Sequence, residues 1–123
     1  MHFSFWSTLA MLPATAILLM HQSWLGLIYA ASLLVTLLYH GTFEQRFRRL
    51  DHALAYGVVG ANGWMAFHAR DGRSSIAGVF LVLFALVWYH RAKSHPEEYD
   101  GAHGVWHLLC GLAGLAFAMG YVR

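Results

Sequence analysis

The stretch AHGVWHLLCGLAGLAFAMGYV, residues 102–122, contains no Asp, Glu, Lys or Arg and is apolar along almost its whole length. As a helix, its 21 residues rise about 32 Å, which is enough to cross the roughly 30 Å of hydrocarbon in a lipid bilayer. The stretch therefore predicts a membrane-spanning helix. Two histidines, His103 and His107, lie one turn apart near its start.

The composition of the whole chain indicates the same environment. Of the 123 residues, 59% are hydrophobic and only 11% are charged, against about 25% charged residues in a typical soluble domain. We predict an all-α fold, an integral membrane bundle of about five transmembrane helices that forms a single domain over residues 1–123. The net charge of +2 and the lack of any recognisable nucleic-acid module favour contact with lipid headgroups and exclude nucleic acid as the expected partner.

Four other apolar stretches resemble the one at residues 102–122 in length. The predicted spans are residues 3–21, 24–41, 51–69, 75–91 and 102–122. Residues 21–24 and 70–75 are predicted to form tight turns, and residues 42–50 and 92–100 longer polar loops. Pro13 predicts a kink in the first span, because proline disrupts the hydrogen bonding of a helix interior.

The distribution of basic residues predicts the orientation of the bundle. Threading the spans up and down places the amino terminus and both longer loops on one side, called side A, and the tight turns and the carboxyl terminus on side B. Cytoplasmic loops usually carry more Lys and Arg, so side A is predicted to be cytoplasmic in a multi-pass protein of the cell (inner) membrane. Side A carries Arg46, Arg48, Arg49, Arg91 and Lys93, whereas side B carries Arg70, Arg73 and Arg123.

Polar residues that are far apart in the sequence collect at the boundary on side A. His40 ends the second span, Asp51 opens the third, and His103 and His107 open the fifth. Thr36 lies one turn before His40, and residues four apart share a helix face. Three neutral imidazoles with one open position form the ligand set of a catalytic zinc site. We therefore predict that His40, His103 and His107 bind Zn²⁺.

Each of these residues also has an ordinary structural interpretation. A single histidine near a helix end is usually interfacial or hydrogen-bonded, and nine histidines in 123 residues produce some four-residue spacings by chance. Asp51 alone would be a helix cap, and Thr36 alone a hydroxyl bonded to its own helix. The metal-site prediction depends on their convergence at one depth.

The arrangement of Thr36-x-x-Tyr39-His40, then Asp51, then His103-x-x-x-His107 resembles the signature of the CREST superfamily of multipass membrane hydrolases. This group includes the alkaline ceramidases and the progestin/adiponectin-type receptors. Its pattern is Ser-x-x-x-His, an Asp at the start of the next helix and His-x-x-x-His in the final helix. The chain has room for about five of the family's seven helices, and Thr36 stands where the family has serine. Ser32, one turn earlier, is a second candidate hydroxyl.

The resemblance implies a zinc-dependent hydrolase that acts on a lipid amide or ester, similar to a ceramidase. His40, His103 and His107 would hold zinc, which lowers the pKa of its bound water to about 7. Asp51 would accept the proton of that water, and Thr36 would donate a hydrogen bond to the developing oxyanion. A substrate among membrane helices is expected to carry an acyl chain.

Further histidines and two other function classes are weaker alternatives. Histidines on facing helices suit axial ligation of haem in an electron-transfer subunit, and the same cluster suits a metal-binding receptor or scaffold without turnover. An oligomer is compatible with a five-helix chain. His52 is a weaker candidate ligand, and His90 and His95 are candidates for a supporting or lid position around the metal, beside Ser32 as the substitute hydroxyl.

Overall fold

The computed structural model describes residues 3–42 and 44–122, and every regular element in these ranges is helical. The first segment consists of α1 (Phe3–Ser7), a 3-10 turn (Thr8–Met11) and α2 (Leu12–Met20). It is followed by α3 (Leu25–Thr42), α4 (Gln45–Phe67), α5 (Gly72–Ser94), a second 3-10 turn (Pro96–Glu98) and α6 (Tyr99–Val122). The predicted all-α fold with five helical segments is confirmed.

Backbone hydrogen bonds at the two ends of α6 define the topology. The N–H of Phe3 donates to Asp100 Oδ2 (3.0 Å), whereas the N–H groups of Arg70 and Asp71 both donate to the carbonyl of Gly120 (2.9 and 3.0 Å). The start of the first segment and the α4–α5 turn therefore lie at opposite ends of α6. The segments run up and down, as the assignment of side A and side B requires.

The helices differ in how well they suit a lipid bilayer. Three helical stretches of the described chain are long and apolar enough to cross a membrane: Leu25–Thr42, Gly72–Ser94 and Pro96–Val122. The first segment is apolar but shorter (Phe5–Met20). The helix α4 does not reach the same hydropathy, because it carries Asp51, His52 and Asn62 in addition to arginines. Five segments thus form the bundle, and three of them meet the requirement for a span.

The helix α6 is central, because it packs against α5, the first segment and α4. Glycines allow these close approaches: a Cβ on Gly111 would lie 2.6 Å from the backbone of Ala10, and one on Gly114 would lie 2.9 Å from the hydroxyl of Tyr29. On α4, by contrast, no atom lies within 4 Å of a Cβ built at Gly60 or Gly63. The glycines that set helix distances are mainly those of α6.

The core lies between α2, α3, α4 and α6. Leu18, Tyr29 and Met65 are fully buried there, and the Tyr29 hydroxyl donates a hydrogen bond to Asn62 Oδ1, which links α3 to α4. By contrast, α5 exposes large apolar side chains such as Phe80 and Phe84. An apolar outer face of this kind is what a bilayer requires of a helix that it surrounds.

Two predicted boundaries on side A are wrong. The helix α4 begins at Gln45, so residues 45–50 are helical and Asp51 lies in its second turn instead of opening the helix. The predicted loop at residues 92–100 is also shorter, since α5 ends at Ser94 and α6 begins at Tyr99. The polarity of residues 45–50 predicts a loop, yet the Gln, Arg and Leu in this stretch all favour helix. A polar helix end is stable where it extends beyond the apolar layer.

The predicted kink at Pro13 is confirmed as a break in the first segment. Proline has no N–H to donate to the carbonyl four residues earlier, and its ring clashes with that carbonyl. The chain accordingly forms a 3-10 turn from Thr8 to Met11, and Pro13 lies in the first turn of α2. The 3-10 turn packs directly against α6, so the break places Thr8 beside the helix that carries His103 and His107.

We expect Gly111→Ala to destabilise the bundle, because the new methyl group would meet backbone atoms of Ala10 that cannot move independently. Overpacking of this kind costs about 1–3 kcal/mol, which corresponds to several degrees of melting temperature in a domain of this size. Circular dichroism melts of the detergent-solubilised protein measure the shift. Gly60→Ala is the matched control, since its methyl group enters open space and raises helix propensity. Equal melting temperatures for the two variants would contradict close packing at Gly111.

Candidate metal centre

Three histidines from two helices meet near side A. His40 lies two residues before the end of α3, and His103 and His107 lie in the first turns of α6. One potential ligand nitrogen from each imidazole lies within 4.8 Å of the others. The ring centroids are 5.3 Å apart for His40 and His103, 4.9 Å for His40 and His107, and 4.4 Å for His103 and His107. The convergence predicted from helix depth is therefore present.

The first segment and α4 keep α3 and α6 apart, and the imidazoles extend into the space between these two helices. Within the described ranges the backbones of α3 and α6 do not touch each other, whereas the first segment and α4 pack against both. The space between α3 and α6 is wide enough for side chains from the two helices to meet. His40 is buried, and His103 and His107 are half-buried. The cluster thus lies inside the bundle.

The donor set fits a small divalent cation. Imidazole nitrogens bind zinc at about 2.0–2.1 Å, so tetrahedral ligands lie about 3.3 Å from one another. In the structure the potential ligand nitrogens lie within 4.8 Å of one another. Modest side-chain rotations can bring them to the shorter spacing of zinc ligands. Three protein ligands leave a fourth position for water or substrate. The His40, His103 and His107 cluster could hold a metal ion.

A hydrogen bond joins Thr36 on α3 to Asp51 on α4. Thr36 is buried on α3, one turn before His40, and its hydroxyl donates to Asp51 Oδ1 on α4. The contact ties the carboxylate to the helix that carries His40. Thr36 was expected to donate its hydrogen to an oxyanion, but here the hydrogen goes to Asp51. This contact does not test the oxyanion role of Thr36, which stays a prediction.

A second supporting contact comes from the first segment. Thr8 is only 1% exposed, and its Oγ1 lies 3.0 Å from His107 Nδ1. For Nε2 of His107 to bind a cation, Nδ1 must carry the ring hydrogen and donate it to Thr8. Hydrogen bonds of this kind fix the tautomer and orientation of metal-binding histidines. Thr8 was not identified from the sequence, although its distance from side A is about the same as that of His107.

Aromatic rings pack around the imidazoles. Tyr99 stacks on His103 with centroids 4.9 Å apart and an interplanar angle of 16°. Tyr39 contacts His40 at 5.1 Å, and Trp106 contacts both histidines of α6 at 5.1 Å. These rings limit the rotation of the imidazoles. Tyr99 also belongs to the residues that the sequence did not single out, because it lay in a predicted loop.

The remaining predicted site residues do not join the cluster. His52, His90 and His95 are exposed and are absent from the group of potential ligands found among the described residues. His90 Nε2 lies 3.3 Å from the hydroxyl of Ser94 on its own helix, and His95 follows the end of α5. Ser32 is buried on α3, one turn before Thr36. A supporting role for these four residues stays a prediction.

Comparison with protein-family models, with curated proteins and with solved structures found no match for this chain. The histidine cluster is therefore a candidate metal centre on its geometry alone, and the resemblance to the CREST superfamily stays a prediction.

We expect Thr8→Val to lower the zinc affinity of the protein by about 10- to 100-fold, as is typical when a metal-binding histidine loses its hydrogen-bond partner. Valine has the shape of threonine without the hydroxyl, so packing changes little. Competition with a chromophoric chelator measures the affinity. Thr8→Ser keeps the hydroxyl and serves as the control. An unchanged affinity in Thr8→Val would remove Thr8 from the metal centre.

Proposed function

We propose that the protein is a zinc-dependent hydrolase of the membrane that cleaves a lipid amide or ester. The observation that carries this proposal is the meeting of three imidazoles, whose potential ligand nitrogens lie within 4.8 Å of one another. Asp51, the proposed proton acceptor, accepts a hydrogen bond from Thr36, which lies one turn before His40 on α3. A structural zinc site is closed by four protein ligands, whereas three ligands and a nearby acid are typical of hydrolytic centres.

Zinc is the proposed ion because of the donor types. Imidazole suits zinc, copper, iron and nickel, and among these zinc favours tetrahedral sites and undergoes no redox change. Haem is disfavoured, because three imidazole rings with centroids 4.4–5.3 Å apart leave no slot for a planar porphyrin between any two of them. When bound, zinc supplies Lewis acidity, which lowers the pKa of a water molecule to about 7 and polarises a carbonyl.

The residues of the chain have separate roles in this proposal. His40, His103 and His107 hold the ion, and Thr8 keeps Nε2 of His107 directed at it. Asp51 accepts a proton from the attacking water and passes it to the leaving amine or alcohol, which requires the carboxylate to come within about 3 Å of both atoms. Thr36 orients Asp51 through its hydroxyl.

The proposed substrate class follows from the surroundings of the site. The centre lies near one end of helices whose outer faces are apolar, as at Leu34 and Leu38 on α3. A substrate that reaches it from the bilayer carries an acyl chain, and the scissile amide or ester lies at the depth of the headgroups. Side A, with the metal centre, is proposed to face the cytoplasm of the cell, on the basis of its excess of Lys and Arg.

The experiment that tests the proposal begins with elemental analysis of the purified, detergent-solubilised protein. We expect one zinc per chain and release of fatty acid from at least one of a panel of ceramides, N-acyl amines and acylglycerol esters. Loss of cleavage on treatment with a chelator, and recovery with added zinc, would support a metal-dependent reaction. Stoichiometric zinc without cleavage would favour the receptor or scaffold, and a red iron-containing preparation would favour the haem protein.

A further inference from the structure

A groove of about 520 Å³ lies at the end of the bundle opposite the metal centre. It is formed where α2 ends, α3 begins, α4 turns into α5, and α6 ends. We call it the side B groove. Its principal lining residues are His21, Trp24, Trp64, His68, Arg70 and Tyr121. None of these residues contributes to the proposed hydrolase centre, so the groove needs a separate explanation.

The walls of the groove are aromatic and are held by local contacts. The Trp24 and Trp64 rings meet edge to face with centroids 6.3 Å apart. The His68 ring stacks on Trp64 at 4.1 Å, and its Nδ1 lies 3.0 Å from the Trp64 carbonyl. Because a carbonyl only accepts hydrogen bonds, Nδ1 carries the hydrogen. The indole N–H groups and the Tyr121 hydroxyl add hydrogen-bond donors to these walls.

Arg70 gives the groove its charge. Arg70 is the formally charged side chain among the described residues that line the groove, and no ion pair involves it within residues 3–42 and 44–122. The neighbouring Asp71 caps α5: its carboxylate accepts from the Arg73 N–H at 3.1 Å and from the Ser74 hydroxyl at 3.2 Å. The Asp71 carboxylate therefore serves as the cap at the start of α5. Arg123, also predicted on side B, lies outside the described residues.

The backbone around Arg70 is anchored to α6. The hydrogen bonds from the N–H groups of Arg70 and Asp71 to Gly120 fix the α4–α5 turn next to Tyr121. On the other side of the groove, the Ser23 N–H donates to the Leu18 carbonyl at 2.9 Å, which fixes the α2–α3 turn. Both turns are therefore held in place before any ligand binds.

We propose that the side B groove binds the phosphate of an anionic membrane phospholipid, with the Arg70 guanidinium as its main contact. The groove lies at the ends of membrane-spanning helices, at the level of the headgroups, where indole rings and arginine are favoured. A guanidinium binds phosphate through two parallel hydrogen bonds, and the indole and phenol groups supply further donors. Among the described lining residues Arg70 is the one formally charged side chain, and its single positive charge matches a phosphodiester that carries one negative charge.

The test uses the full-length protein in nanodiscs of phosphatidylcholine that contain a minor fraction of phosphatidylglycerol, with bound lipid measured by native mass spectrometry after release. We expect wild type to retain phosphatidylglycerol selectively and Arg70→Gln to lower that retention about tenfold or more, the effect expected from losing hydrogen bonds to a charged group. Arg73→Gln is the matched control, because Arg73 is exposed at the same end of the bundle but does not line the groove. An unchanged helical circular dichroism spectrum and melting temperature in Arg70→Gln report a folded bundle.

The other outcomes of this experiment each overturn the proposal. Equal losses in Arg70→Gln and Arg73→Gln would indicate a general surface charge effect. Preference for phosphatidylcholine would assign the aromatic walls to its quaternary ammonium group instead. Displacement of the lipid by millimolar glycerol phosphate would indicate a soluble phosphate ester as the ligand. If Arg70→Gln does not fold, Arg70→Lys keeps a point charge without the planar fork, and unchanged retention in it would exclude two-point recognition by Arg70.

Discussion

Replacing His103 by alanine is expected to abolish stoichiometric zinc binding by the purified protein. The variant loses one of three imidazoles that converge within 4.8 Å. Loss of a supporting hydrogen bond already lowers metal affinity about 10- to 100-fold, and loss of a ligand itself has a larger effect. Elemental analysis after dialysis, together with chelator competition, measures the remaining affinity. His107→Ala is expected to behave in the same way.

The control for this experiment is His90→Ala, because His90 is exposed on α5 and lies outside the cluster. It removes the same chemical group and is expected to keep one zinc per chain. Helical content and melting temperature, measured by circular dichroism, show whether His103→Ala has lost only the ion. Equal zinc content in the His103 and His90 variants would refute the three-histidine centre, whatever the activity of the protein.

Replacing Asp51 by asparagine is expected to lower lipid hydrolysis by about 10²- to 10⁴-fold, the usual contribution of a general base, while zinc binding is kept. Asparagine has nearly the same size, and its Oδ1 can still accept the Thr36 hydrogen that Asp51 accepts in the native protein. The substitution therefore removes the ability to take up a proton with little change in packing. Initial rates at saturating substrate, measured beside zinc content, separate the two effects.

Glu44→Gln provides the comparison for Asp51→Asn. Glu44 directly precedes α4 and pairs with Arg46 at 2.6 Å, with both side chains largely exposed. Neutralising it changes the charge of side A as much as Asp51→Asn does, without touching the centre. If the two variants hydrolyse lipid at the same rate, Asp51 is not the base, and the zinc centre must use another proton acceptor.

The fold was largely predictable because two simple quantities determine it. The length of each apolar stretch gives the helices, and short connections force neighbouring helices to alternate in direction. Those two facts also place His40, His103 and His107 at one depth, so the histidine cluster was predictable from the sequence without knowledge of helix packing. For the three imidazoles to meet, His40 on α3 then had only to face the side of α6 that carries His103 and His107.

What the sequence did not predict depends on lateral packing. Thr8 lies in an apolar stretch and contacts His107 because Gly111 lets the 3-10 turn approach α6 closely. Nothing in the spacing of Thr8 and Gly111 indicates that approach. The start of α4 was missed for a different reason. Its arginines are polar but favour helix, and a hydropathy argument cannot distinguish a solvated helix end from a loop.

The connection between Thr8 and His107 also bears on biosynthesis. Of the five segments, α6 leaves the ribosome last, and it supplies two of the three imidazoles. A nascent polypeptide that has inserted only its first four segments contains His40 and Thr8 before His103 and His107 have been made. We therefore expect zinc to enter after translation has passed α6, so that loading of the ion reports completed assembly of the bundle.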